Sequence, residues 1–227
     1  MKNKYAEAEK LDADALPIFQ RVFGPENPKT LIATENLAID VKDQGRYAEA
    51  EKLERPAVEM EIRKFGVDNR STLIAISNLA ETLTKEGQYP EAEKLLRQAI
   101  DAKRRTMGPD HPSVLTSMDS LGNVLKKEKR YAEAEKTYRE VLDDRTRVLG
   151  VANPYTSDSA YGLACVLALE GKRDDAITNL QFAADHALST DERKGLANDP
   201  DLAALHADPR FAAIVAAANQ TAATAAK

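Results

Sequence analysis

The sequence predicts an all-α chain of antiparallel helix pairs, and three observations carry that expectation. YAEAEK stands at Tyr5–Lys10, Tyr47–Lys52 and Tyr131–Lys136, with YPEAEK at Tyr89–Lys94, so four tyrosines recur at an interval of 42 residues. A fixed period of this length marks a repeated supersecondary unit. Gly24, Gly66, Gly108 and Gly150 recur at the same interval inside FGPENP, FGVDNR, MGPDHP and LGVANP, in the order expected where Gly ends one helix and Pro opens the next. Finally, 30% of the 227 residues are charged, Gly and Pro number 10 each and Trp is absent, a balance closer to helical repeats than to a sandwich or barrel.

A shorter connection precedes each tyrosine: DQGRY, KEGQY, KEKRY and LEGKR, with Gly45, Gly87 and Gly171 in register and Lys129 as the exception. Each repeat therefore holds a helix A before this turn and a helix B after it, each of roughly 15–17 residues and about 25 Å at 1.5 Å per residue.

Residues 1–22 read as a B-type helix of a partial repeat, without its A partner. Its apolar face, Ala8, Leu11, Ala15 and Phe19, predicts a fragment of a longer array, a face that caps itself, or contact with another subunit. Residues 23–188 read as four repeats. Their A helices carry Leu37-Ala38 with Val41, Leu79-Ala80 with Leu83, Leu121-Gly122 with Leu125, and Leu163-Ala164 with Leu167, large beside small, which lets a neighbouring helix come close along a buried stripe. Their B helices place Ala50, Ala92, Ala134 and Ala176 at one inward offset and Ala57, Ala99, Val141 and Ala183 at another. Asp12 and Glu54 take the register of Leu96 and Tyr138, and Pro17 and Pro56 fall inside B helices, so the first two B helices are expected to be bent or less stable. Residues 189–218 read as capping helices, with Asp199-Pro200 and Asp208-Pro209 as start signals and Leu202, Leu205, Phe211 and Ile214 as the covering face. Residues 219–227 read as a disordered tail.

Little in the composition points to chemistry. A net charge of −5 and a pI near 5.4 supply no general field for nucleic acid. Basic clusters such as Lys103-Arg104-Arg105 are mixed with acids and read as solvated faces. No apolar run is long enough for a membrane span or a secretory signal. His111, His186 and His206 lack ligand spacing, and GxxxxGK[ST], GxGxxG and GxSxG are absent. The expectation is therefore no catalytic residue, no metal and no cofactor. Cys165 is the single cysteine and reads as a structural thiol, compatible with a reducing, cytoplasmic location.

Asn36-Leu37-Ala38, Tyr89-Pro90-Glu91-Ala92-Glu93 and Gly108-Pro109-Asp110-His111-Pro112 are similar to the kinesin-light-chain type of tetratricopeptide repeat, longer by eight residues than the usual unit of about 34. The resemblance spans about residues 5–188. It implies a right-handed α-solenoid whose A helices line a concave groove, closed by the C-terminal helical cap. It implies a non-catalytic scaffold that binds a peptide segment or partner protein there. An Asn on helix A would hold an extended peptide backbone through both amide functions. The matching positions are Asn36, Asn78, Ser120 and Gly162, so the ladder weakens toward the C-terminus. Neighbouring candidates are Glu35, Glu81, Lys85, Asp119, Asn123, Lys127 and Tyr161, whose mixed charge argues against a groove specialised for a terminal carboxylate. A regulatory or sensory domain of a larger signalling protein and a scaffold that self-associates through its N-terminal helix stay open as alternatives. Neither nucleic acid nor membrane is expected as a partner.

Overall fold

The computed structural model describes residues 2–225, with side chains for residues 6–189 and 192–218. Among the described residues there are helices and no strand. They form two compact units, Met1–Pro109 and Asp110–Lys227.

The first unit holds α1 (Lys2–Phe23), α2 (Pro28–Asp43), α3 (Tyr47–Phe65), α4 (Arg70–Glu86) and α5 (Tyr89–Met107), each packed on the next. The second holds α6 (Pro112–Lys127), α7 (Tyr131–Leu149), α8 (Pro154–Leu169), α9 (Arg173–Asp185), α10 (Thr190–Gly195), two 3₁₀ segments at Leu196–Asn198 and Pro200–Leu205, and α11 (Pro209–Ala225). Here α6 to α9 pack in sequence, Pro200–Leu205 lies mainly on α8, and α11 packs on α9 and α10. The backbone of α11 is helical through positions 219–225, where the sequence predicts a tail; residues 226 and 227 lie outside the described residues.

Helix starts follow the predicted logic. Asn27, Asn69, His111 and Asn153 cap α2, α4, α6 and α8, each accepting the backbone N–H two residues on at 2.9–3.1 Å. The α3, α5 and α7 helices run 19 residues, longer than expected, because good helix formers continue to the Gly66, Gly108 and Gly150 caps. The turn before the tyrosine requires a left-handed residue. Gly87 supplies it at φ +81°, and Lys129, where glycine is missing, adopts it at φ +62°.

The hexamer now divides into working parts. Its second Ala is fully buried at Ala50, Ala92 and Ala134. Its second Glu reaches the residue just before the next B helix: Glu9 accepts from Arg46 at 2.7 Å, Glu51 from Gln88 at 3.2 Å and Glu135 from Lys172 at 2.6 Å. In these three places the hexamer ties one B helix to the start of the next. At the start, α1 buries Leu16 against Leu37, Val41 and Ala50, while Leu11, Ile18 and Val22 remain more than half exposed. At the end, Leu202, Leu205, Phe211 and Ile214 are all buried, and Asp199 and Asp208 cap their segments by accepting from Asp201 and Arg210 N–H.

Candidate functional site

The residues singled out from sequence lie on helices α2, α4, α6 and α8. In the first unit, Asn36 is exposed on α2, Asn78 is half-buried on α4, and Glu81 and Lys85 are exposed on α4. Glu35 and Asn78 come together: with Glu54, Ala57, Val58 and Ala75 they line a small cavity of about 10 Å³, room for one water-sized group. Glu81 is tied instead to α2, accepting from Lys42 at 2.7 Å.

Behind that cavity lies an arrangement of acids. Glu54 and Glu61 on α3 are 3% and 2% exposed. No N–H donor of the described residues reaches either Glu54 oxygen, Glu35 Oε1 or Glu61 Oε2; the groups beside them are the Thr82 hydroxyl at Glu54 and the facing carboxyls of Glu35 and Glu61. The Thr82 hydroxyl, beside Glu54, donates to the Asn78 carbonyl at 3.2 Å. Burial raises the Glu35 carboxyl to about 7, reinforced by Glu61, close enough to share a proton with it, and by Glu54. Burial likewise raises Glu54, against the opposing pull of Lys42. Glu61 also lines a larger cavity of about 240 Å³ with Pro28, Ile32, Phe65, Asn69 and Ser71.

The second unit fills the same register differently. Asp119, half-buried on α6, is held by Arg145 (3.1 Å) and Ser159 (2.9 Å). Ser120 donates to the Thr116 carbonyl in its own helix at 3.2 Å. Asn123 is half-buried and Lys127 exposed. Tyr161 donates to Asp199 of the C-terminal segment. Gly162, the last rung of the Asn ladder, is glycine for a steric reason: a Cβ there would lie 2.6 Å from the buried Tyr138 ring, and one at Gly122 would lie 2.9 Å from the ring's other side.

Sequence reasoning missed Glu61, Lys103 and Arg145, which occupy one register of helices α3, α5 and α7. The expectation that Lys103-Arg104-Arg105 forms a solvated face needs correction at its first member. Lys103 is 7% exposed, donates to Ser77 at 3.0 Å and has its pKa lowered by burial. The available signal was positional: each charged residue falls 42 residues from the next and four after the inward Ala57, Ala99 and Val141.

Cys165 is fully buried, and burial pushes its thiol up to about 12, which keeps it protonated and unreactive at neutral pH. Among the described residues no group of three His, Cys, Asp or Glu is arranged to hold a metal ion, and no helix is long and apolar enough to cross a membrane.

Comparison with solved structures gives the nearly identical TPR-like repeats of a Podosopora anserina protein assigned to the kinesin light chains. It is 24% identical, covering 81% of this chain and 87% of that one at a TM-score of 0.72; a variant of it aligns over 81% and 86% at 0.73. BtubC (BKLC) from P. vanneervenii is 18% identical and aligns over 97% of this chain and 90% of that one, also at 0.72. These likenesses establish the fold, that of the tetratricopeptide solenoids. Comparison with curated proteins finds no match. The tetratricopeptide repeat family itself matches over residues 1–60, 71–143 and 119–189, and repeats of this kind generally serve as protein–protein interaction scaffolds. The chain belongs to the tetratricopeptide repeat family.

Proposed function

We propose that the chain is a non-catalytic scaffold that binds a segment of a partner protein along the face formed by its A helices, with α2 and α4 of the first unit as the principal grip. The observation that carries this reading is the pairing of Glu35 and Asn78 at one cavity, beside buried carboxylate oxygens that no N–H donor of the described residues reaches. A buried polar group without a partner is costly, and an incoming peptide offers N–H donors to such groups. Asn36, exposed on α2, is placed to hold peptide backbone through its amide. Glu81 and Lys85 supply side-chain selectivity in the first unit, Asp119, Ser120, Asn123 and Lys127 are the corresponding candidates within the second, and moderate affinity is expected for an extended ligand. The setting is cytoplasmic, without nucleic-acid or membrane contact, and the same groove serves equally if the chain acts as a regulatory part of a larger signalling protein.

The test compares the native chain with Asn36→Ala and Asn78→Ala in a pull-down followed by peptide mapping. Partners mapped to a linear segment should be lost or weakened by both changes. Retention of every specific partner at unchanged affinity counts against the groove.

A second reading rests on a different observation, the exposure of Leu11, Ile18 and Val22 along α1. These positions recur on one helical face and would be covered if two copies met there. Light scattering over a concentration series decides it: a mass that rises with concentration supports self-association, and a constant monomer mass removes it.

A further inference from the structure

One register of the B helices carries a buried charged side chain: Glu61 on α3 and Lys103 on α5 in the first unit, and Arg145 on α7 in the second. In the second unit, Arg145 is 2% exposed and donates to Asp119 Oδ1 at 3.1 Å, to the Tyr155 carbonyl at 2.6 Å and to Ser159 Oγ at 2.6 Å. It thereby fills the space between α6 and α8 with a cation and its acceptors. Lys103 does a similar thing in the first unit, donating to Ser77 on α4. Shifted by two repeats, Arg145 becomes Glu61, Asp119 becomes Glu35 and Tyr155 becomes Ser71. The acceptors are conserved in kind, a carboxylate on one A helix and a backbone carbonyl on the next, but the donor between them has been replaced by a third acceptor.

Two consequences of that exchange are visible. Glutamate is shorter than arginine and does not fill the cleft it lines, a cavity of about 240 Å³ between the start of α2, the end of α3 and the start of α4. This is smaller than the roughly 300–1,000 Å³ of sites for whole small molecules, and suits a single side chain. Its walls are apolar at Pro28, Ile32 and Phe65, matching an aliphatic stem, and Glu61 lies within it. The second consequence is electrostatic. No N–H donor of the described residues reaches Glu61 Oε2 or Glu35 Oε1, the two carboxyls satisfy each other only by sharing a proton, and Lys42, the cation that acts on neighbouring Glu54, is already bonded to Glu81.

We propose that this cleft between α2 and α4 is a pocket for a basic side chain, lysine or arginine, of the bound protein segment, whose cation takes the place that Arg145 fills internally in the second unit. The proposal rests on the groove reading above and gives it a ligand class: segments with an arginine or lysine spaced from a stretch of backbone held at Asn36 and Asn78. A charge-assisted bond to the Glu61 carboxylate favours guanidinium over ammonium, because its planar fork can meet both oxygens of one carboxylate.

The experiment is a selection from a displayed library of random peptides on the full chain, with counter-selection on Asn78→Ala to keep only groove-dependent binders. Those binders should be enriched in Arg or Lys at one fixed position. They should bind Glu61→Gln at least about tenfold more weakly, and should fail on Glu61→Arg, which restores the internal cation. Far-ultraviolet circular dichroism and thermal unfolding check that both variants fold, and Glu61→Lys, the residue of the Lys103 register, is the second variant should Glu61→Arg not fold. Groove-dependent binders with no basic enrichment, or with unchanged affinity for the folded Glu61 variants, overturn the pocket and leave the groove. No groove-dependent binder at all overturns the groove reading itself.

Discussion

The α2–α3–α4 layer of the first unit and the α6–α7–α8 layer of the second are built from the same 42-residue text, yet their inward positions are filled differently, by acids in one and by a tyrosine and an arginine in the other. In the second, Tyr138 fills the space between Gly122 and Gly162, and Arg145 pairs with Asp119. In the first, the same two positions are Glu54 and Glu61, buried, with carboxylate oxygens that no N–H donor of the described residues reaches, beside two cavities. The backbone framework tolerates both fillings because Leu, Ala and Gly at the A–B seam carry the packing. The inward polar positions are thus free to be closed for stability or left open for a ligand. That freedom separates framework from function in this fold.

The comparison breaks most readily at the charged position. Arg145→Ala should cost roughly 3 kcal/mol in chemical unfolding, because it strands Asp119 beside a buried hole. Glu61→Gln should change stability by less than about 0.5 kcal/mol or raise it, since it keeps the volume and gives Glu35 a neutral amide in place of a second acid. Equal costs at the two sites would erase the distinction.

At the aromatic position, Gly162→Ala should destabilise by about 1–3 kcal/mol through overpacking against Tyr138. Adding Tyr138→Leu, the residue of the Leu96 register, should recover much of that loss, and a double-mutant cycle with purely additive costs would deny the contact.

The acids of the first unit also predict a pH dependence. The folded Glu35 carboxyl titrates near 7, above its ordinary value of 4.5, so the native state binds more protons than the unfolded chain between those limits. Its contribution to stability is fully present below about pH 4.5 and is lost as pH rises through about 7. Denaturation midpoints at pH 5 and 8 should therefore differ less in Glu35→Gln than in the native chain. An unchanged difference would remove Glu35 as the titrating group.

Two smaller effects sharpen the picture. Lys129→Gly should stabilise by about 0.5–1 kcal/mol by relieving a left-handed lysine, read as a shift in denaturation midpoint. Hydrogen exchange should show weaker protection around Pro17 and Pro56 than across Ala92–Ile100, because each proline removes a helical hydrogen bond; equal protection would count against it.

Much of the fold was legible because its determinants are local and repeated. The Gly and Pro landmarks bracket the helices, the large-small pairs on the A helices are buried as their spacing implies, and even the exceptional Lys129 marked a real backbone feature. The candidate site was legible only in outline. Asn36, Asn78 and Glu35 came from the resemblance, whereas Glu61 and Arg145 look like ordinary members of charged B helices until α2, α4 and α8 are seen packed over them. The fading Asn ladder was visible as letters, but its cause at Gly162 was not, because a tyrosine on a different helix imposes it. Period and composition report what each helix does for itself, and side chains that meet between helices need the packing.

The most direct test of an open acidic cleft in one unit and a closed one in the other is a nuclear magnetic resonance titration of the full chain. N-acetyl-arginine methylamide serves as probe, with its neutral citrulline counterpart as control. The account predicts saturable shifts for the arginine compound at Ile32, Glu35, Glu61 and Ser71, small ones around Arg145, and little response to citrulline. Shifts of equal size with both compounds, or shifts centred on Arg145, would contradict it.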